Sequence, residues 1–307
     1  MTLPQKQHPI YAAVLMVLAG SCFAAVNVSI QSATMTFSMP SVSVVFWQYA
    51  TALLFAVPWI IRQGSKKLRT RNWRLHCLRI CFAVVGVQLW GAGLAQVPIW
   101  QAIALVMTSP FFVIIGAKLF LGERVGLPRA LATLTGFAGA MIILEPWSDK
   151  FVMATLYPIS AAAFWAGVSV ITKRLTASES NDTITVYMLL LLTPVNLALA
   201  LGEGLALPSN GAEIAVIAAT GLFTVAANYF LTVAYSKADA TYIQPFDHLK
   251  LIMNVIGGWL VFSYAPPGFF WGGAIIIVGA SLYVVHNEGH ESLLGEALDD
   301  ELERALD

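Results

Sequence analysis

Two ionisable side chains, Asp247 and Lys250, stand inside an apolar run that extends from about Tyr242 to Phe262. At about 100° per residue, Ile243, Asp247, Lys250, Asn254 and Gly257 fall on one narrow helical face, opposite a face of Leu, Ile, Val and Trp. A run of this length crosses a bilayer, whose hydrocarbon core needs roughly 20 apolar residues of helix. An ionised Lys or Asp at its centre costs on the order of 2.5–3.5 kcal/mol. Such a face belongs toward a bundle interior or a water-filled cavity. An ammonium there can bind a carboxylate or phosphate, or it can neutralise Asp247 at i,i+3 and merely hold the packing. Because charge inside a membrane usually marks a ligand or ion pathway, Lys250, Asp247 and Asn254 are read as substrate-binding or coupling residues. His248 points about 100° away from Asp247 and fits either a site or a packed core.

Uncharged polar residues interrupt other apolar runs. Thr224, Asn228, Thr232 and Tyr235 share one helical face, and Gln88 lies with Val84, Gly91 and Ala95. Asn27 and Gln31 lie together, Gln48 stands alone, and Trp165 aligns with Ser169 and Thr172. Each fits two roles, interhelical hydrogen bonding that holds a bundle or the lining of a cavity. Trp165 can stack on a planar or cationic group. The candidate set is Lys250, Asp247, Asn254, Gln88, Asn228, Trp165, Asn27, Gln48 and His248, with no catalytic or metal-ligating member.

Membrane helices must position these residues. The 307-residue chain is 58% hydrophobic and 11% charged, with mean hydropathy +0.74, whereas soluble domains carry about 25% charged residues. Ten spans are predicted, at 10–32, 41–62, 75–96, 100–121, 127–145, 151–174, 183–202, 213–235, 240–262 and 268–286. Arg62, Lys66, Lys67, Arg69, Arg71, Arg74 and Arg79 crowd the connection between the second and third. Placing that connection in the cytoplasm puts both termini there and leaves only Lys150 outside and Lys250 in mid-membrane, of 17 basic residues. The expected location is the cell inner (plasma) membrane, multi-pass.

The chain also repeats itself weakly. A shift of 140 lays Gln88 on Asn228 and Gly139-Ala140 on Gly279-Ala280, and a shift of 141 lays Phe23 on Phe164. Five spans per half is odd, so consecutive halves enter the membrane from opposite sides, the architecture of many secondary transporters. The predicted fold is therefore all-α integral membrane, ten transmembrane helices as an inverted five-plus-five repeat. Residues 1–146 form the first repeat, 147–287 the second, and 288–307 an acidic cytoplasmic tail. The tail holds eight acidic residues against Arg304, with Leu294, Leu298, Leu302 and Leu306 four apart.

Phosphate-loop, zinc-protease and nucleophile-elbow motifs are missing, and Cys22, Cys77 and Cys81 lack metal spacing. No enzyme activity, cofactor or nucleic-acid partner is expected. Pumping without a nucleotide site runs on a proton or counter-substrate gradient. Small residues Gly136, Gly139 and Ala140, with Gly272, Gly273, Gly279 and Ala280, suit either a homodimer face or close packing within the bundle.

Ten spans, the inverted repeat, Pro110 in mid span four and the closing Leu119-Phe120-Leu121-Gly122-Glu123-Arg124 resemble the drug/metabolite transporter superfamily, EamA type. The run Gln244-Pro245-Phe246-Asp247-His248-Leu249-Lys250 and Gly279-Ala280 are similar in the second half. Two positions depart from the pattern: Gln48 stands where many relatives carry Arg, and Ser263 where Glu123 has its counterpart. The resemblance implies a basket-shaped bundle that moves small metabolites by alternating access, often exporting amino acids and related compounds. The expected function is a secondary transporter of a small polar or zwitterionic, amino-acid-like metabolite, working as an exporter beside membrane lipid. The alternatives are an uptake transporter for a cofactor-like metabolite of riboflavin or S-adenosylmethionine type, and a non-transporting receptor or scaffold.

Overall fold

A computed structural model describes residues 9–64, 70–116, 127–145, 147, 152–237, 249–280 and 282–283. Asp247, His248, the run Leu119–Arg124 and the tail at 288–307 lie outside the described residues. The helices are α1 (Pro9–Gln31) with a π turn at Ser32–Thr36, α2 (Ser41–Gln63), α3 (Trp73–Leu94), α4 (Ile99–Val106) and α5 (Ser109–Gly116). They continue as α6 (Leu127–Leu144), α7 (Leu156–Thr176), α8 (Asn181–Gly202), α9 (Gly211–Lys237), α10 (Leu249–Phe262) and α11 (Gly268–Ala280). No strand occurs among the described residues. Counting α4 and α5 as one segment, the fold is the predicted all-α membrane bundle of ten.

The predicted fourth span is not one helix. Val106 ends α4, and Met107 and Thr108 form a turn before α5. Thr108 Oγ1 donates to Leu105 O at 2.7 Å, and the Phe111 amide donates to Thr108 O. Pro110 has no amide hydrogen to continue the ladder. A broken helix is tolerated at membrane depth only where protein buries it, and Met107 and Thr108 are fully enclosed.

Packing follows the repeat. The most extensive pairings are α1 with α9 and α3 with α7. The first repeat's α1 corresponds to α7 and its α3 to α9, so the two pairings are one contact made twice. The same exchange turns α1 against α10 into α7 against α5, and both pairings are present. In the interior, α6 and α11 meet back to back at Gly139 and Gly273. A Cβ at either would lie within 3 Å of the other's carbonyl oxygen, so these two glycines serve packing inside the bundle.

One end of the bundle gathers polar ties. Thr70 and His76 hydrogen-bond the Glu179 carboxylate, the latter at 2.7 Å, and the Asn72 amide donates to it. Asn72 Nδ2 donates to Ser178, and Asn181 Nδ2 to Ser236. The start of α3, the α7–α8 turn and the end of α9 are thereby latched together. At the other end, Trp47 donates to Ala206 O while Ser43 accepts from its amide. There α9 starts on a capping box, with Glu213 N donating to Asn210 Oδ1 and Asn210 Nδ2 to Glu213 Oε1.

The latch predicts a pH dependence. Burial alone would raise the Glu179 carboxyl, but the bonds from Thr70, His76 and Asn72 outweigh it and hold the group below its ordinary 4.5. A carboxyl depressed in the folded state stabilises it above the unfolded-state pKa, and that contribution is lost as pH falls through the lower folded value. The melting temperature of the purified protein should drop more steeply below about pH 4.5 than that of Glu179→Gln. Parallel curves for the two proteins would mean that the latch adds nothing to stability.

Candidate functional site

The middle of the bundle holds a chain of hydrogen bonds across three helices. Trp90 Nε1 of α3 donates to Asn27 Oδ1 of α1 at 3.0 Å. Asn27 Nδ2 donates to Asn254 Oδ1 of α10 at 3.0 Å, and Asn254 Nδ2 donates to Lys250 O at 2.7 Å. Trp90, Asn27 and Asn254 are all buried. Buried amides in a medium without water must find protein partners, and here each supplies the next.

Local sequence explains why these residues meet. Lys250, Asn254 and Gly257 share the α10 face that packs along α1. A Cβ on Gly20 would touch the Lys250 stem at 3.3 Å, and one on Gly257 would lie 2.8 Å from Val28. The lysine face thus looks into the bundle, as its cost in lipid demands. On α3, Gly86 leaves room for Trp165 of α7, since a Cβ there would lie 2.7 Å from the indole Cδ1. Trp165 then leans on Trp90 with ring centroids 5.4 Å apart and planes at 55°.

The structure therefore joins Asn27, Asn254, Trp165 and the Lys250 backbone through Trp90. Gln48 and the pair Gln88 and Asn228 are placed differently. Gln48 Nε2 donates to the buried Thr224 of α9 at 3.0 Å, tying α2 to α9. Gln88 Nε2 donates to Asn196 Oδ1 of α8 at 2.8 Å. Asn228 Nδ2 donates within its own helix, to Thr224 O at 2.9 Å. The repeat gives Gln88 and Asn228 equivalent positions, but their neighbours differ.

Some residues of this interior are missing from the candidate set. Asn196 is fully buried, and its signal was an Asn two places after Pro194 in an apolar run. Gln31, one turn from Asn27, donates Nε2 to Val97 O at 3.0 Å and to Leu94 O at 3.3 Å, while its Oε1 has no partner among the described residues. Arg79 belongs to the interior too, not to the connection between α2 and α3. It is 3% exposed and bonds to Ile184 O and Met188 Sδ.

Among the described residues the arrangement brings together two indoles and a row of amide donors and acceptors, with no nucleophile beside a base. It suits reversible recognition of a planar, hydrogen-bonding molecule better than bond making. The chain matches the EamA-like transporter family over residues 11–145 and again over 152–285. It belongs to that family. The double match falls on the two halves related by the packing exchange. This EamA-like chain is 54% identical over 285 residues to a protein named riboflavin transporter from Rhizobium johnstonii, covering 92% of this chain and 94% of that one. It is 46% identical to one of the same name from Vibrio cholerae, covering 94% and 97%. Against an S-adenosylmethionine uptake transporter of Rickettsia felis the identity is 28%, over 81% and 84%. A solved crystal structure at 15% identity superposes with TM-score 0.67, covering 94% of this chain and 97% of the other. That likeness concerns the fold alone. The EamA-like protein is a multi-pass membrane transporter of a small-molecule metabolite.

Proposed function

We propose that this EamA-like protein takes up riboflavin across the inner membrane by alternating access. The supporting observation is the 54% identity, over nearly all of both chains, to a relative named for riboflavin transport. It favours cofactor-like uptake over the amino-acid export expected from the resemblance. The site's chemistry agrees with this reading. A flavin presents a large planar ring, which the Trp90 and Trp165 faces accept, and a polar edge that Asn27 and Asn254 can meet. In the proposed cycle, the repeats at 1–146 and 147–287 rock about the α1, α3, α7 and α10 core, driven by a proton or counter-substrate gradient. Both termini face the cytoplasm on the lysine and arginine asymmetry.

The test uses purified protein and membrane vesicles of known sidedness. Riboflavin at about a hundredfold excess over Kd should stabilise the protein by about 2.7 kcal/mol, with amino acids giving no shift. Right-side-out vesicles should accumulate labelled riboflavin and keep the acidic tail protected from external protease. Stabilisation by amino acids and not by riboflavin would restore the exporter reading.

A further inference from the structure

We infer that Arg79 sets the charge preference of the transport path, admitting neutral and anionic metabolites and rejecting cationic ones; the flavin arm of the test rests on the riboflavin reading. The position begins about six residues, some 9 Å, into α3. An arginine near a membrane surface usually extends its guanidinium back to water. This one does not. Nη1 donates to Ile184 O at 3.0 Å and Nη2 to Met188 Sδ at 3.1 Å, a turn further along α8 into the bundle, and the residue is 3% exposed.

Nor does any described residue balance its charge. Among the described residues the only ion pair joins His76 and Glu179, and no carboxylate reaches Arg79. Among the described residues, the titratable groups that interact with it electrostatically are the Tyr49 and Tyr235 phenols and His76, and its Nε has no hydrogen-bond partner. Guanidinium nitrogens number five N–H donors, and a thioether is a weak acceptor for one of them. A buried cation without a counter-ion costs several kcal/mol, so packing alone is a poor reason to keep it.

Its place on α3 says what the charge faces. Arg79, Ala83, Gly86 and Trp90 recur at i, i+4, i+7 and i+11, one stripe of the helix, and all four are buried. Trp90 and Gly86 hold the indole pair of the candidate site. Below them the stripe narrows to small side chains and ends at the guanidinium, roughly 16 Å from Trp90 along the axis. A molecule leaving the indoles along this stripe meets a positive charge that no described carboxylate neutralises, in low dielectric, where Coulomb forces are weakly screened.

Two independent measurements test this. In the first, flavins carrying a neutral, a carboxylate or an ammonium side chain compete with labelled riboflavin for wild-type protein, Arg79→Met and Arg79→Lys. The ammonium flavin should bind wild type and Arg79→Lys at least about tenfold more weakly than the carboxylate flavin, and Arg79→Met should bind both alike. The second needs no flavin. With Cys22, Cys77 and Cys81 replaced by alanine, Ala83→Cys is labelled with anionic and cationic methanethiosulfonates. Ala83 is buried in this conformation and reachable only when the path opens, so no labelling by either reagent during turnover also overturns the inference. The anionic reagent should be favoured, and the preference should vanish on adding Arg79→Met. Wild-type protein that binds the charged flavins equally overturns the inference, whether or not Arg79→Met folds. If no flavin binds at all, the riboflavin reading fails and the thiol labelling alone decides on Arg79, an even ratio in both backgrounds sinking it.

Discussion

Asn27→Leu should abolish substrate uptake while lowering stability by only about 2 kcal/mol. The side chain is the centre of a three-helix chain, so its loss removes two bonds at once. Trp90 Nε1 then has no acceptor and Asn254 Oδ1 no donor. An orphaned buried polar group costs about 1–3 kcal/mol, but hydrogen bonds between membrane helices average nearer 0.6 kcal/mol, because the unfolded reference in lipid also finds partners. The bundle should therefore survive, since its helices pack over long faces that the change does not touch. Transport should not survive, because the indole and both amides lose the orientation that presents them to a ligand. Trp90→Phe offers a graded control: it keeps the Asn27–Asn254 bond and an aromatic face, and should retain part of the uptake. Flux in proteoliposomes, normalised to protein that melts cooperatively, is the measurement. If Asn27→Leu transports at the wild-type rate, the network is interhelical glue and the site lies elsewhere.

Hydropathy and loop breakers were enough to predict the number and order of the membrane segments, and their approximate bounds where the residues are described, because each buries or exposes an apolar surface regardless of its neighbours. The interior is a different matter. Asn27 and Asn254 are conspicuous as amides within apolar runs, but only the packing of α1 between α3 and α10 makes them partners. The break at Met107 and Thr108 is invisible to hydropathy, since both halves of the span are equally apolar. Pro110 is the signal, because it lacks the amide hydrogen that would carry the ladder across the break. Arg79 was concealed by company: it follows six other basic residues and reads as the last charge of a loop. The rotation of α3 turns it inward instead, onto Ile184 and Met188. Repeat arithmetic likewise equates Gln88 with Asn228 in position and says nothing of partners. Asn196 has no equivalent beside α9, so one amide bridges helices and the other folds back on its own.

Lys250→Met should eliminate transport and leave the fold intact. The structure separates the two roles of this residue cleanly. Its contribution to the network is a main-chain carbonyl, which accepts from Asn254 Nδ2 and is unchanged by any side-chain substitution. Its Cβ packs over Gly20 of α1, a contact that methionine keeps with similar length and volume. What methionine removes is the ammonium and the interactions it makes. Keeping that charge in the membrane interior costs on the order of 2.5–3.5 kcal/mol, which offsets their loss, so the variant should stay folded with a melting temperature close to that of wild type. A loss of flux at unchanged melting temperature would then assign the charge to the transport cycle. Two mechanisms use it: direct attraction of a polar group on the substrate, or competition with a proton or counter-substrate for the Asp247 carboxylate. The double variant Lys250→Met/Asp247→Asn distinguishes them. Restored flux means that Lys250 served to neutralise Asp247, whereas flux that stays absent points to the ammonium as a ligand for the substrate. Wild-type flux from the single variant would dismiss both and leave the uncharged row from Trp90 to Asn254 to carry recognition by itself.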